Sequence, residues 1–246
     1  MNGSLLSISW RVARGEFIKL RQPRLLCGVL TTLTIFTAAM NYLSFHQRSD
    51  QPLMAGYELS LSFFGVLVIC LCASLSAQDF SHGTLRNLYL RAPRRSGIMC
   101  GKFLAASFFI FTLNFYLVAL SLICARLQGE TFDLHSFPVI AREALTGFLG
   151  NCALGLIGSA LGFIFASAVI AIGVGLLWSL VIESVLSASM PRAAPWLPIV
   201  NCINLAQSGQ KSTAHLTLAH SASITVGYLA LIITLGFFVF SRAEIS

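Results

Sequence analysis

The sequence predicts an all-α, polytopic membrane protein: six transmembrane helices, an amphipathic interfacial helix before the first, and both termini cytoplasmic. Three observations carry that prediction. Apolar residues make up 56% of the 246 residues and charged residues only 10%, against about 25% charged in soluble domains. Long runs contain no Lys, Arg, Asp or Glu. The basic residues that remain are spread unevenly along the chain. No hydrophilic block is large enough for a second domain, so residues 1–246 are expected to form one membrane domain.

Residues 4–22 come first. Leu6, Trp10, Ala13, Phe17 and Leu20 recur at steps of four and three and share one helix face, with Arg11, Arg14 and Lys19 opposite. An apolar stripe with Trp against a basic face reads as a helix lying in the membrane interface. Pro23 breaks it. The first apolar run lacks a small-residue cleavage site and follows this patterned segment, so it does not read as a signal peptide.

The charge-free runs are Leu25–Phe45, Leu59–Gln78, Phe103–Ala125, Ala144–Ile182 and Ser221–Ser241. A span needs roughly 20 apolar residues to cross about 30 Å of hydrocarbon. Four runs fit one span each. The run Ala144–Ile182 is nearly twice too long for one helix and must turn, at the small residues Ala166, Ser167 and Ala168. The expected spans are therefore about 25–45, 58–78, 102–125, 144–164, 168–188 and 221–241. Six spans place both ends on one side. Arg11, Arg14, Lys19, Arg21 and Arg24, the cluster Arg86, Arg91, Arg94, Arg95 and Lys102, and Arg242 make that side cytoplasmic by the positive-inside rule.

The net charge of +7 thus reads as topology and contact with anionic lipid, not as a nucleic-acid surface. The seven cysteines lack metal-ligand spacing, and no metal site is expected. Cys124 and Cys202 fall near the outer face, where a disulfide is one open reading. No Walker A motif is present: Gly209-Gln210-Lys211-Ser212 lacks the upstream glycine and the Gly-Lys pair. No HExxH and no Gly-x-Ser-x-Gly occurs either, so no catalytic residue is expected and the chain does not read as an enzyme.

In span four, Asn151, Gly155, Gly158 and Gly162 share one face, a seam either for packing within the chain or for a dimer. Glu183 interrupts the apolar run of span five. It reads either as a carboxylate near the headgroups or, with Asn151, as a polar lining of a translocation path. Pro191, Pro195 and Pro198 punctuate the external segment 190–220, which is expected to hold short re-entrant or interfacial helices.

The loop after span two, residues 79–95, carries a family resemblance. Asp79, Gly83-Thr84-Leu85-Arg86, Leu88-Tyr89, Pro93-Arg94-Arg95 and Gly101-Lys102 resemble the pattern of type-2 ABC transporter permeases. Gly15-Glu16-Phe17-Ile18-Lys19 resembles that family's elbow helix, with Trp10 on the same helix. The likeness runs over nearly the whole chain. It implies that residues 79–92 form a coupling helix, through Asp79, Gly83, Thr84, Leu85, Arg86, Leu88 and Tyr89, and that the turn near Phe165–Ala168 makes a second cytoplasmic contact.

It further implies two copies of a separate ABC ATPase holding ATP and Mg, no cofactor in this chain, and a homodimer or a heterodimer with a similar permease in the inner membrane. The implied function is export of an amphipathic or hydrophobic cargo (drug, peptide or lipid). Two other readings remain open: a secondary transporter, and a non-transporting assembly or sensor subunit associated with an ATPase.

Overall fold

A computed structural model describes residues 5–20, 22–47, 55–81, 95–129, 136–207 and 217–242. Among these there is no strand. Eight helices follow in order: α1 (Leu5–Leu20), α2 (Pro23–Gln47), α3 (Ala55–Ser81), α4 (Arg95–Leu127), α5 (Phe137–Phe165), α6 (Ala168–Ser189), α7 (Pro198–Ala206) and α8 (Leu218–Arg242). Six of them, α2 to α6 and α8, are long and apolar enough to cross a membrane. The chain is a multi-pass membrane protein.

Each helix outruns its charge-free run. α4 takes in both Lys102 and Arg126, and α5 begins at Phe137 with Pro138 in its first turn. Backbone hydrogen bonding does not stop where the hydrocarbon does, so charges at the ends of spans stay helical. Proline opens three helices, α2, α5 and α7, where its missing N–H is one of the unsatisfied donors in any case. The turn expected at Ala166–Ala168 is present. Ala166 takes a positive φ of 50°, its N–H donates to the Gly162 carbonyl, and α6 starts at Ala168.

The span at α6 is not a regular α-helix. Residues Leu177–Ile182 form a π-helical turn, flanked by Ala168–Leu176 and Glu183–Ser189. The segment between α6 and α8 contains a short 3-10 turn (Ala194–Trp196) followed by α7, a helix of 9 residues.

α5 is the central post. It packs along α3 and also meets α4, α7 and α8. The small-residue face explains the close approach to α3. A Cβ on Gly158 would sit 2.5 Å from the Ile69 carbonyl oxygen, and one on Gly162 would sit 2.6 Å from that of Ala73. Any larger residue would push the two backbones apart. The stripe is therefore an internal seam, and the dimer alternative for it falls away. Asn151, on the same helix, is fully buried, with its amide donating to the Gly147 carbonyl at 2.9 Å.

α1 lies against α4 at one end of the bundle, the elbow end. Val12 there joins Ile98, Met99, Phe163 and Phe240, so the end of α8 reaches the same level. α1 turns one face to the bundle. Ser9, Val12, Ala13 and Glu16 point inward, Phe17 is half-buried edge-on to Phe108, and Trp10 is 66% exposed. A Trp turned away from the bundle suits a helix that lies in a membrane interface. The inward face is set by close packing and by charge.

Candidate functional site

The fold buries carboxylates at Glu58 and Glu143 and at two further places. The first is at the elbow end. Glu16 of α1, Asp79 of α3 and Lys102 of α4 are 6%, 4% and 4% exposed, and Lys19 of α1 covers them from outside. Lys19 Nζ donates to Asp79 Oδ1 at 2.7 Å and to Glu16 Oε1 at 3.0 Å. Lys102 Nζ lies 2.6 Å from Asp79 Oδ2 and 3.5 Å from Glu16 Oε1. It also donates to the Leu75 carbonyl, one turn before Asp79. Among the described residues the cluster thus sets two acids against two bases at the apolar end of the bundle.

Asp79 belongs to the last turn of α3, not to the following loop as the family pattern implied. A carboxylate there faces the negative end of the helix dipole and needs cations beside it, which Lys19 and Lys102 supply. Burial pulls the Lys19 ammonium toward neutrality. The hydrogen bond to Asp79 and the charges of Glu16 and Asp79 outweigh that and hold it above its ordinary value. Gly101 sets the approach of α1: a Cβ there would lie 2.6 Å from the Ser9 carbonyl oxygen. The Gly101-Lys102 pair of the sequence pattern thus has two physical jobs, letting α1 in and setting a cation against the acids beneath it. The Phe163 ring, 5.9 Å from Lys102 Nζ, closes the apolar side.

The second place lies in the far half of the bundle. Glu183 is 1% exposed. Its Oε1 accepts from the Trp178 indole N–H at 2.6 Å and the Ile199 backbone N–H at 3.0 Å, and its Oε2 accepts from the Val200 N–H at 2.9 Å. Ile199 and Val200 are in the first turn of α7, whose own cap residue, Leu197, has no side-chain acceptor. Glu183 therefore caps α7 from α6, matching a negative group to the positive end of a helix. The π-turn makes this possible. Its register pairs residues five apart, which brings Trp178 alongside Glu183.

α7 is held elsewhere by amides. Asn201 Nδ2 donates to the Pro195 and Leu197 carbonyls, Asn204 Nδ2 donates to Ser221 Oγ on α8, and Gln207 Nε2 donates to Ser62 Oγ on α3. Cys202 is buried against Thr225, and Cys124 and Cys202 are not bonded to each other.

Of the residues picked out from the sequence, the structure brings Glu16 and Asp79 into one cluster, leaves Trp10 on the outside, and places Phe17 beside α4. Glu183 and Asn151 are both buried and hydrogen-bond to different partners. Gly83, Thr84, Leu85, Arg86, Leu88 and Tyr89 lie outside the described residues. Lys19 and Lys102 were not singled out as site residues. The signal that marks Lys102 is its place one residue before a long charge-free run, where a buried cation needs a partner.

Over residues 25–246 the chain matches the family described as "Protein of unknown function (DUF2705)", and it belongs to that family. No curated protein matches the sequence.

Proposed function

We propose that this member of the DUF2705 family is the membrane-spanning permease subunit of an ATP-driven ABC exporter in the cytoplasmic membrane, with its termini and α1 on the cytoplasmic side. A separate ATPase, in two copies, would bind ATP and Mg. This chain, paired with itself or a similar permease, would form the path for an amphipathic or hydrophobic cargo.

The observation that carries this reading is the charge cluster at the elbow end. Asp79 and Lys102 are on the two helices that flank the segment 82–94, and Glu16 and Lys19 tie both to the elbow helix. A push on that segment would reach α1, α3 and α4 together. Such a joint suits a lever between a soluble motor and a helix bundle. Buried charge in a membrane chain is costly and is a mark of function by default. A secondary transporter would be expected to place paired charges at mid-membrane, whereas this cluster sits where spans end.

The test is co-expression with a candidate ATPase, co-purification, and ATP hydrolysis measured with and without this chain. The reading expects a stable complex whose hydrolysis rate depends on the permease. It expects loss of that dependence when Arg86 or Leu88 is replaced by Asp. An ATPase that binds equally well to a chain with residues 82–94 scrambled would sink the coupling assignment.

A further inference from the structure

Beside the Trp178–Glu183 pair lies a cavity of about 330 Å³. Its floor is aliphatic and buried, formed by Ile69 of α3, Ile157 of α5 and Ile199 of α7, none more than 5% exposed. Trp178 of α6 and Leu231 of α8 stand at its rim, 41% and 56% exposed. α6 packs on α3 and α5, and α8 packs on α5 and α7. The cavity is the half-open cleft between those pairs.

Its chemistry narrows the occupant. The indole N–H of Trp178 is already spent on Glu183, which leaves the Tyr228 hydroxyl as the one side-chain polar group in the lining. A site for a drug-like molecule has several convergent polar groups. A trapped water needs two to four polar partners. Neither fits here.

Size narrows it further. Ten residues of helix fill a cylinder of roughly 1,200 Å³, so a helix of a second copy would cover the mouth of this cleft without filling it. An apolar cavity of about 150 Å³ admits benzene, and this one is roughly twice as large. What fits is a slender aliphatic chain, and the surrounding bilayer is made of them.

We infer that this cleft is a binding site for one acyl chain of a membrane lipid, entered sideways between α6 and α8. The chain would contact both helix pairs at once and fill the space that the π-turn and α7 leave open. Glu183 and Trp178 are positioning residues here, because they fix the wall formed by α7 and the rim. The site requires only that the protein span a bilayer, so it stands or falls separately from the coupling to an ATPase.

The full chain is reconstituted without any ATPase into nanodiscs of phosphatidylcholine, a fraction of it carrying a diazirine near the end of one acyl chain. After irradiation, adducts are mapped by peptide mass spectrometry. The cleft residues Leu161, Val174 and Leu231 are expected to be labelled roughly five-fold more than Phe115 and Val226, although those two are 68% and 65% exposed. Ile157→Trp, which fills the floor, and Leu231→Trp, which narrows the rim, should each remove the excess and leave labelling at Phe115 unchanged. Should Ile157→Trp not fold, Leu231→Trp at the exposed rim carries the test.

Labelling that simply follows exposure, or an excess that survives Leu231→Trp, overturns the inference. So does a disulfide between two Leu231→Cys copies that excludes the label, since a neighbouring protein would then cover the cleft. Native mass spectrometry of the chain released from its own membrane reads the source. A retained phospholipid supports the site, and retention of a single-chain amphiphile alone overturns its assignment to bilayer lipid.

Discussion

Asp79 and Glu183 are both carboxylates buried in apolar surroundings, yet they are satisfied in opposite ways. Asp79 shares two lysines with Glu16 across three helices. Glu183 makes no ion pair among the described residues and is held by two backbone N–H groups and an indole. A lysine offers a point charge on a flexible four-carbon stem, so the elbow cluster can keep its pairing while its helices shift. A helix terminus offers only about half a charge, but in fixed directions, so the far clamp tolerates little movement. The first arrangement suits a joint and the second suits a wall. Substitutions can test whether that difference is real.

The largest effect is expected at Lys102. Lys102→Met removes from Asp79 and Glu16 their buried cation and leaves half-exposed Lys19 beside them. Removing one partner of a buried pair typically costs about 3–5 kcal/mol. Thermal melts in detergent should fall accordingly. The double variant Asp79→Asn with Lys102→Met should melt above Lys102→Met alone, because it removes the stranded charge as well. A double variant no better than the single would mean that Lys102 acts through packing, and the contrast with Glu183 would lose its electrostatic basis.

At the clamp, geometry should matter more than charge. Glu183→Ala strands buried donors, at about 1–3 kcal/mol for each one left unsatisfied. Glu183→Gln keeps a carbonyl oxygen for the first turn of α7 and should cost about 1 kcal/mol. Equal losses for the two variants would make charge the deciding term, and the two regions would then differ less than their contacts suggest. If the proposed transport is unchanged in Glu183→Gln, the reading of Glu183 as a lining of the proposed path falls.

The two regions are joined by the α3–α5 seam, since α3 carries Asp79 and α5 packs against both α3 and α7. Gly158→Ala should cost about 1–3 kcal/mol through overpacking, because its Cβ would meet the Ile69 carbonyl at 2.5 Å. A neutral result would show that the seam yields, and that the joint and the wall are not braced against one another.

What the sequence disclosed follows from what kind of interaction each feature depends on. The spans, the Ala166 turn and the short helix after Pro198 depend on local apolar runs and on proline, and both are written in consecutive residues. The glycine face was legible as a seam, because spacing of three and four survives in any helix. The side of α1 that packs on the bundle was not written in its periodicity. Periodicity marked the stripe with Trp10, which faces outward, while the fit at Gly101 and the contact of Lys102 with Glu16 set the inward face. The cap on α7 was out of reach altogether. It joins a side chain to backbone N–H groups 16 and 17 residues away, through a π-turn that no residue type announces.

The smallest effect belongs to Lys19, and it sharpens the comparison from inside the elbow cluster. Its side chain is 42% exposed, so solvent screens its pairs, and Lys19→Ala should cost about 1 kcal/mol or less. The pH dependence has a definite sign. With the folded pKa raised, the stabilisation from Lys19 is fully present below the unfolded value of about 10.4. It is lost only as pH rises through the still higher folded value. The difference in melting temperature between the parent chain and Lys19→Ala should therefore stay constant from about pH 6 to pH 9. A difference that shrinks within that range would mean that Lys19 is losing its proton there, and that the buried acids depend on Lys102 alone.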